Sequence, residues 1–484
     1  MAGIILLGLG PGDPKHLTRE AWDVLNATNE MWVRTRQHPT VAALPAHLKV
    51  HSFDDLYENG DTFEQVYASI TSRILELGRR EEGVVYAVPG HPFVAEATGP
   101  EIARRGGEAG IPIRVVEGIS FLGPTFSALG LDPYPSLVLV DALTLGQAHV
   151  PAYAPDTPVL VAQIYSRIVA AEVKSTLGSI YPDRHRVRFV HGAGTREQIV
   201  EDLPLYEIDR SNRVGLMSSL YVAPLAEGSS FEAFQEIVAH LRAPNGCPWD
   251  KEQTHASLRT HLLQESYEAM SAMDTGDVDG MREEFGDLLL QIVLNAQIAK
   301  EEGEFSANDV IRGIYDKIIR RHPHVFGDAK VTGVQGVLSN WEKLKENERR
   351  HADQEKGLLD GVPLALPALS QAQEYQDRAA RVGFDWPEIQ GVLDKIAEEV
   401  REVQEAGSEP ELESELGDLL FALVNLARWK KVDAEAALRK SNQRFKGRFG
   451  HIERGARKQA RNLSDLSLDE MESLWQEAKR GKDS

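Results

Sequence analysis

The second half of this chain is written twice. Residues 281–297, MREEFGDLLLQIVLNAQ, and residues 410–428, PELESELGDLLFALVNLAR, follow one design. In the later copy Leu412, Leu416, Leu419, Leu420, Leu423 and Leu426 recur at helical spacing, which predicts a buried amphipathic helix. Each copy carries two acids three apart beside its most apolar run, Glu284 with Asp287 and Glu415 with Asp418. Ahead of each lies another such pair: Glu265 and Glu268 in LLQESYEAM, Glu399 and Glu402 in IAEEVREVQ. Behind each comes a Lys, an Arg four residues on and a Phe nine residues on, Lys317, Arg321 and Phe326 or Lys440, Arg444 and Phe449, then Trp341 or Trp475. Repetition of a whole order, not of one motif, marks an internal duplication.

Residues three apart on a helix share a face, so each acidic pair is one unit. If the two helices of a copy pack antiparallel, four carboxylates converge. Like charges at close range repel strongly, and a hard divalent cation relieves the repulsion. Mg²⁺ takes oxygen ligands and commonly shares them with phosphates, and Mn²⁺ suits the same donors. Lys440 with Arg444, one turn apart, would grip the remaining phosphate oxygens. The set is suited to phosphoryl chemistry with an activated water. A solvated acidic face is the bland alternative for any single ExxE, and two complete sets each trailed by Lys and Arg favour the metal.

Composition narrows the classes. The 484 residues suggest roughly three domains, and 42% apolar content supplies packed cores. Seventy-four acidic against 53 basic residues give a net charge of −21, which argues against a non-specific nucleic-acid binder. No apolar run approaches the length needed to span a membrane, and the single cysteine, Cys247, suits a reducing cytoplasm. Before residue 225, short β-branched runs alternate with glycine turns: IILLGLG, GVVYAVPG, IRVVEG, SLVLVDAL, PVLVAQIY and VRFVHGAG. That is an α/β pattern. Charged amphipathic segments follow, so the later half is all-α. Breaks at 225–230 and within 343–363 divide the chain into 1–225, 230–350 and 364–484.

Smaller features have plain readings. Trp249 and Phe326 are expected in a core, with base stacking as the sharper alternative. His322 and His324 flank a proline and read as a helix-ending turn. Cys247 packs as a small hydrophobe. Asp13 is a turn cap or a general base.

The ExxE…ExxD sets, with GCPWDKEQTHASL ahead and RRHPHVFGD behind, resemble the MazG family of nucleoside triphosphate pyrophosphohydrolases over about residues 230–484. The resemblance implies Mg²⁺-dependent cleavage of nucleoside triphosphates to NMP and pyrophosphate, and a homodimer or higher oligomer. It implies that Glu399, Glu402, Glu415 and Asp418 bind metal and orient water, that Lys440 and Arg444 contact phosphates, and that Trp475 lies near the base. Glu265, Glu268, Glu284 and Asp287, with Lys317 and Arg321, have the same roles in the earlier copy, and the later copy ranks first. The link from Glu402 to Glu415 is three residues shorter than that from Glu268 to Glu284, so the connecting loop and its pocket are expected to differ.

The N-terminal half places Gly8, Gly10 and Gly12 directly after an apolar run, in LLGLGPGDP, with YAVPGHPFVAEAT and VVEGISFLGPTFSALGL as companions. Glycines there permit φ > 0 and close approach to a ligand. The set resembles the tetrapyrrole methylase family, which implies S-adenosylmethionine bound by Pro11, Gly90, His91, Val94, Ser120, Phe121 and Tyr165. His91 stands where an aspartate is common, which touches methyl transfer more than the fold. The expected protein is therefore an α/β methylase-like domain followed by two all-α MazG-like domains, acting on nucleotides in housecleaning. A methyltransferase with a helical dimerisation or sensing module, and a nucleotide sensor without turnover, remain as other readings.

Overall fold

Each of the six apolar runs of the N-terminal half contains a strand. In a computed structural model that describes residues 3–59, 62–330, 333, 334, 336, 337, 340, 341 and 357–480, the chain forms two compact units, Met1–Glu252 and Gln253–Ser484. The break expected within 343–363 falls largely outside the described residues.

The first unit holds two five-stranded sheets. One contains β1 (Ile4–Gly8), β2 (Glu30–Val33), β3 (Lys49–Ser52), β4 (Val84–Val88) and β5 (Ile113–Val116) in the order β3-β2-β4-β1-β5. All its pairings are parallel. Alternate residues of β1 and β4 feed opposite cores: Leu6 and Tyr86 pack with Ile70 and Ile74, whereas Leu7 and Val85 pack with Leu25 and Met31. Burial on both faces explains why these strands read as continuous apolar runs. The other sheet contains β6 (Val138–Asp141), β7 (Val159–Ala162), β8 (Arg186–His191), β9 (Ile199–Pro204) and β10 (Ser218–Val222), ordered β6-β7-β10-β8-β9. Only β6 and β7 pair in parallel; the rest of that sheet is antiparallel.

The second unit is helical. Its earlier repeat runs through helices His255–Thr275, Val278–Glu302 and Ala307–Arg321; the later one through Ile389–Glu405, Glu409–Trp429 and Ala434–Lys458. The first two helices of the earlier repeat fold back at Gly276, whose φ of 67° ends one helix, and Asp277, whose side chain caps the next. The longer link from Glu268 to Glu284 comes from the first helix, which runs on to Thr275, whereas its counterpart stops at Glu405; the connecting loops stay short in both copies. Helix Ala368–Arg381 packs on Glu409–Trp429, where Gln376 Nε2 donates to the Phe421 carbonyl at 2.9 Å.

Two expectations need correction. The leucine stripe of Glu409–Trp429 is not buried: Leu416 is 43% and Leu420 55% exposed, and the buried positions are Ala422 and Val424. The apolar face is wider than its neighbours in one chain cover. Trp249 and Phe326, expected in a core, are exposed as well. Each sits on a helix of about one turn, Pro248–Glu252 or Pro323–Phe326. His322 does end a helix, accepting no side-chain cap but placing its Nδ1 2.7 Å from the Ile318 carbonyl. Cys247 is half-buried.

Candidate carboxylate sites and a glycine-lined cleft

The antiparallel hairpins bring the acidic pairs together. In the later repeat one carboxylate oxygen each of Glu399, Glu402 and Glu415 lie within 4.8 Å of one another. Glu399 is 2% exposed, with Oε1 held 2.7 Å from Lys395 Nζ, while its Oε2 is buried with no partner. A buried carboxylate oxygen left bare is costly, and the natural remedy is a cation. Burial, then the charges of Glu399 and Glu415, hold the Glu402 carboxyl above its ordinary range despite the opposing Lys395. Asp418, exposed one turn further on, stands outside the group of three.

The earlier repeat forms the same triad from Glu265, Glu268 and Glu284. Burial, then Asp287 and Glu268, raise the Glu265 carboxyl; burial, then Glu268 and Asp287, raise that of Glu284. No Lys or Arg pairs with these acids among the described residues. The donor sets are all oxygen and net negative, each with one exposed member, Glu268 or Glu402, which fits Mg²⁺ or Mn²⁺.

The cationic pairs are less integrated. Lys440 and Arg444 are exposed on Ala434–Lys458 and form no ion pair with the triad among the described residues; Lys317 is exposed and Arg321 half-buried. Trp475 packs 5.4 Å from Phe445, the neighbour of Arg444, and Arg448 lies 5.5 Å over its ring. Phe445 was not singled out from the sequence, although it sits beside Arg444 and is 59% exposed.

In the first unit the loops after β1, β4 and β5 meet at glycines. Gly10 and Gly90 exchange backbone hydrogen bonds of 3.2 and 2.8 Å, both with positive φ. A Cβ on Gly118 would lie 2.1 Å from the Gly90 carbonyl oxygen and 2.7 Å from Gly8 Cα. Gly118 is thus as constrained as the glycines read from sequence, but EGIS lacks their clustering. The residues implied for S-adenosylmethionine follow the C-terminal ends of parallel strands, where open α/β sheets bind ligands. Pro11 follows β1; Gly90, His91 and Val94 follow β4; Ser120 and Phe121 follow β5; Tyr165 follows β7. The Gln163 amide donates to the Ala95 carbonyl at 2.8 Å, tying the loop of Tyr165 to that of Val94. Ser120 Oγ accepts from Leu122 N, His91 Nδ1 accepts from Phe93 N, and Phe121 packs in the core beside Leu129. Asp13 caps a turn, accepting from Lys15 N at 3.0 Å.

Two polar clusters escaped the sequence reading. Arg34 is enclosed by Glu96 at 2.5 Å, Tyr57 at 2.8 Å and Tyr67 at 2.9 Å; burial opposes its charge, and these partners outweigh it. His191 lies between Ser218 Oγ and Glu201 Oε2, each at 2.9 Å, beside a cleft of about 940 Å³ that Gly12, Asp13, Thr195 and Arg213 also line. Residues far apart in sequence meet in both, so no local spacing announces them.

Comparison with known proteins agrees with both halves. The model of the MazG nucleotide pyrophosphohydrolase domain matches residues 253–326 and 388–452, and that of the tetrapyrrole (corrin/porphyrin) methylases matches 3–209. Nearly the whole chain is similar to the uncharacterized protein YabN of Bacillus subtilis, at 43% identity over 489 residues and 99% of each chain. The helical half is similar to a nucleoside triphosphate pyrophosphohydrolase of Escherichia coli, at 46% identity over 250 residues, 50% of this chain and 95% of that one. It is also similar to the nucleoside triphosphate pyrophosphohydrolase/pyrophosphatase MazG of Thermotoga maritima, at 43% identity over 254 residues, 52% of this chain and 97% of that one.

Proposed function

The chain belongs to the MazG nucleotide pyrophosphohydrolases, joined to an N-terminal tetrapyrrole methylase domain, and we propose that its helical half converts (d)NTP to (d)NMP and pyrophosphate in housecleaning of the nucleotide pool. The observation that carries this is the paired carboxylate triads, one of which keeps a buried, unpartnered Glu399 Oε2. We assign residues 1–225 to the methylase-like domain, and 230–350 and 364–484 to the two MazG-like domains.

Glu399, Glu402, Glu415 and Asp418 would hold Mg²⁺, as would Glu265, Glu268, Glu284 and Asp287 in the earlier copy. When bound, the ion supplies charge neutralisation for the triphosphate and acidifies water. The same carboxylates would orient the attacking water beside the ion. Lys440 and Arg444 would bind the phosphate oxygens, Trp475 with Phe445 would border the base, and Lys317 with Arg321 would serve the earlier site. The uncovered stripe of Leu416 and Leu420 supports a homodimer, since a contiguous apolar face rarely stays in water. No described helix is long and apolar enough to cross a membrane, and we place the protein in the cytoplasm.

The test is turnover of a panel of NTPs with Mg²⁺, Mn²⁺ and EDTA. Metal-dependent loss of NTP supports the assignment, and binding without turnover favours a sensor. The convergence of Gly8, Gly90 and Gly118 favours a second activity, methyl transfer from S-adenosylmethionine. Calorimetry should detect that ligand or its demethylated product. Gly90→Leu should weaken binding at least about tenfold, because its side chain extends toward Ser120. A wild-type chain that binds neither compound keeps this fold as scaffold only.

A further inference from the structure

Lys395 Nζ lies 2.7 Å from Glu399 Oε1 and 3.1 Å from Glu398 Oε1, inside the later carboxylate site. The earlier repeat has His261 and Gln264 at the matching positions. The later site therefore carries an additional carboxylate and an ammonium together. Glu398, Glu399, Glu402, Glu415 and Asp418 with Lys395 carry the same formal charge as the four acids of the earlier site. Lys395 engages the one acid of the triad that is buried, and any ion held by the triad must use that acid too. An ammonium and a divalent cation repel strongly at such range. The Lys395 side chain is 41% exposed, on a flexible four-carbon stem, so it is free to leave.

We propose that Lys395 is the resident counter-ion of the later site, that uptake of a divalent cation displaces it from Glu399, and that the freed ammonium then binds a phosphate oxygen of the substrate. This rests on the metal-site reading above. It gives the later site a phosphate ligand that the earlier one lacks, and it makes phosphate binding follow metal loading.

The test uses the full chain with the earlier site silenced by Glu284→Gln and Asp287→Asn. Mn²⁺ is titrated by calorimetry, followed by inorganic pyrophosphate at saturating Mn²⁺. Lys395→Met should bind Mn²⁺ about threefold to tenfold more tightly, having lost the competitor, and pyrophosphate about tenfold more weakly. Lys395→Gln should move both affinities the same way, and Lys395→Arg, which keeps the charge, should hold Mn²⁺ within about twofold of the parent. Mn²⁺ binding that is unchanged or weaker in folded Lys395→Met and Lys395→Gln overturns the proposal. So does tighter Mn²⁺ binding with pyrophosphate affinity unaltered. A parent chain that binds no Mn²⁺ at the later site removes the metal reading itself, and this inference with it.

Discussion

His38 shows how one buried group ties the N-terminal fold to pH. It is 8% exposed, its Nδ1 has no partner, and burial lowers its pKa from 6.5 to about 4. The folded chain therefore refuses a proton that the unfolded chain accepts. Between pH 6.5 and about 4 the unfolded state holds more protons, so stability rises with pH in that window. The contribution is fully present above pH 6.5 and is lost as pH falls to about 4. It amounts to roughly 3 kcal/mol. Urea unfolding at pH 7 and pH 4.5 should show His38→Gln losing less stability than wild type on acidification; equal losses would contradict the account. Gly118→Ala should cost about 1–3 kcal/mol in the same assay, since its methyl meets the Gly90 carbonyl and Gly8 backbone. Gly10, Gly12 and Gly90 were legible because glycine in a turn after a strand declares its own reason. Gly118 and Lys395 were not: their constraint comes from what packs against them.

At the scale of elements, the helices and their acidic pairs were legible because spacing alone puts i and i+3 on one face. What spacing does not fix is how much of a leucine stripe one chain covers, and so the helix Glu409–Trp429 reads as buried in the sequence but leaves Leu416 and Leu420 exposed in the fold. Strands β2, β3, β9 and β10 do not stand out as apolar runs: β2 and β3 read EMWV and KVHS, each opening on a charged residue, and β9 is polar and partly exposed. β10 is wholly buried, but its SSLYV sequence has only a short apolar stretch. The exposed stripe makes a prediction. Leu416→Glu with Leu420→Glu should shift sedimentation from dimer toward monomer while helicity by circular dichroism changes little, because both sites face outward in one chain. Unaltered sedimentation would place the dimer contact elsewhere. The repeats make another. Glu415→Gln with Asp418→Asn should reduce turnover on the order of a hundredfold or more, whereas Glu284→Gln with Asp287→Asn should leave most of it. Equal losses would mean equivalent or coupled sites. Within the later pair, Glu415→Gln alone should cost more than Asp418→Asn, since only Glu415 joins the triad.

At the scale of the molecule, a change from alternating strand and turn to amphipathic helix divides the sequence into an α/β half and an all-α half, and the sheets and helices follow that division. The methylase-like and MazG-like domains are thus built on different kinds of scaffold, and each proposed activity has its own test. The central claim concerns which phosphate bond the helical half breaks. Phosphorus-31 NMR of a reaction of the intact protein with Mg²⁺ and a nucleoside triphosphate decides it. The account predicts NMP and pyrophosphate in equal amounts, with no NDP at any time point. Appearance of NDP with orthophosphate would contradict it.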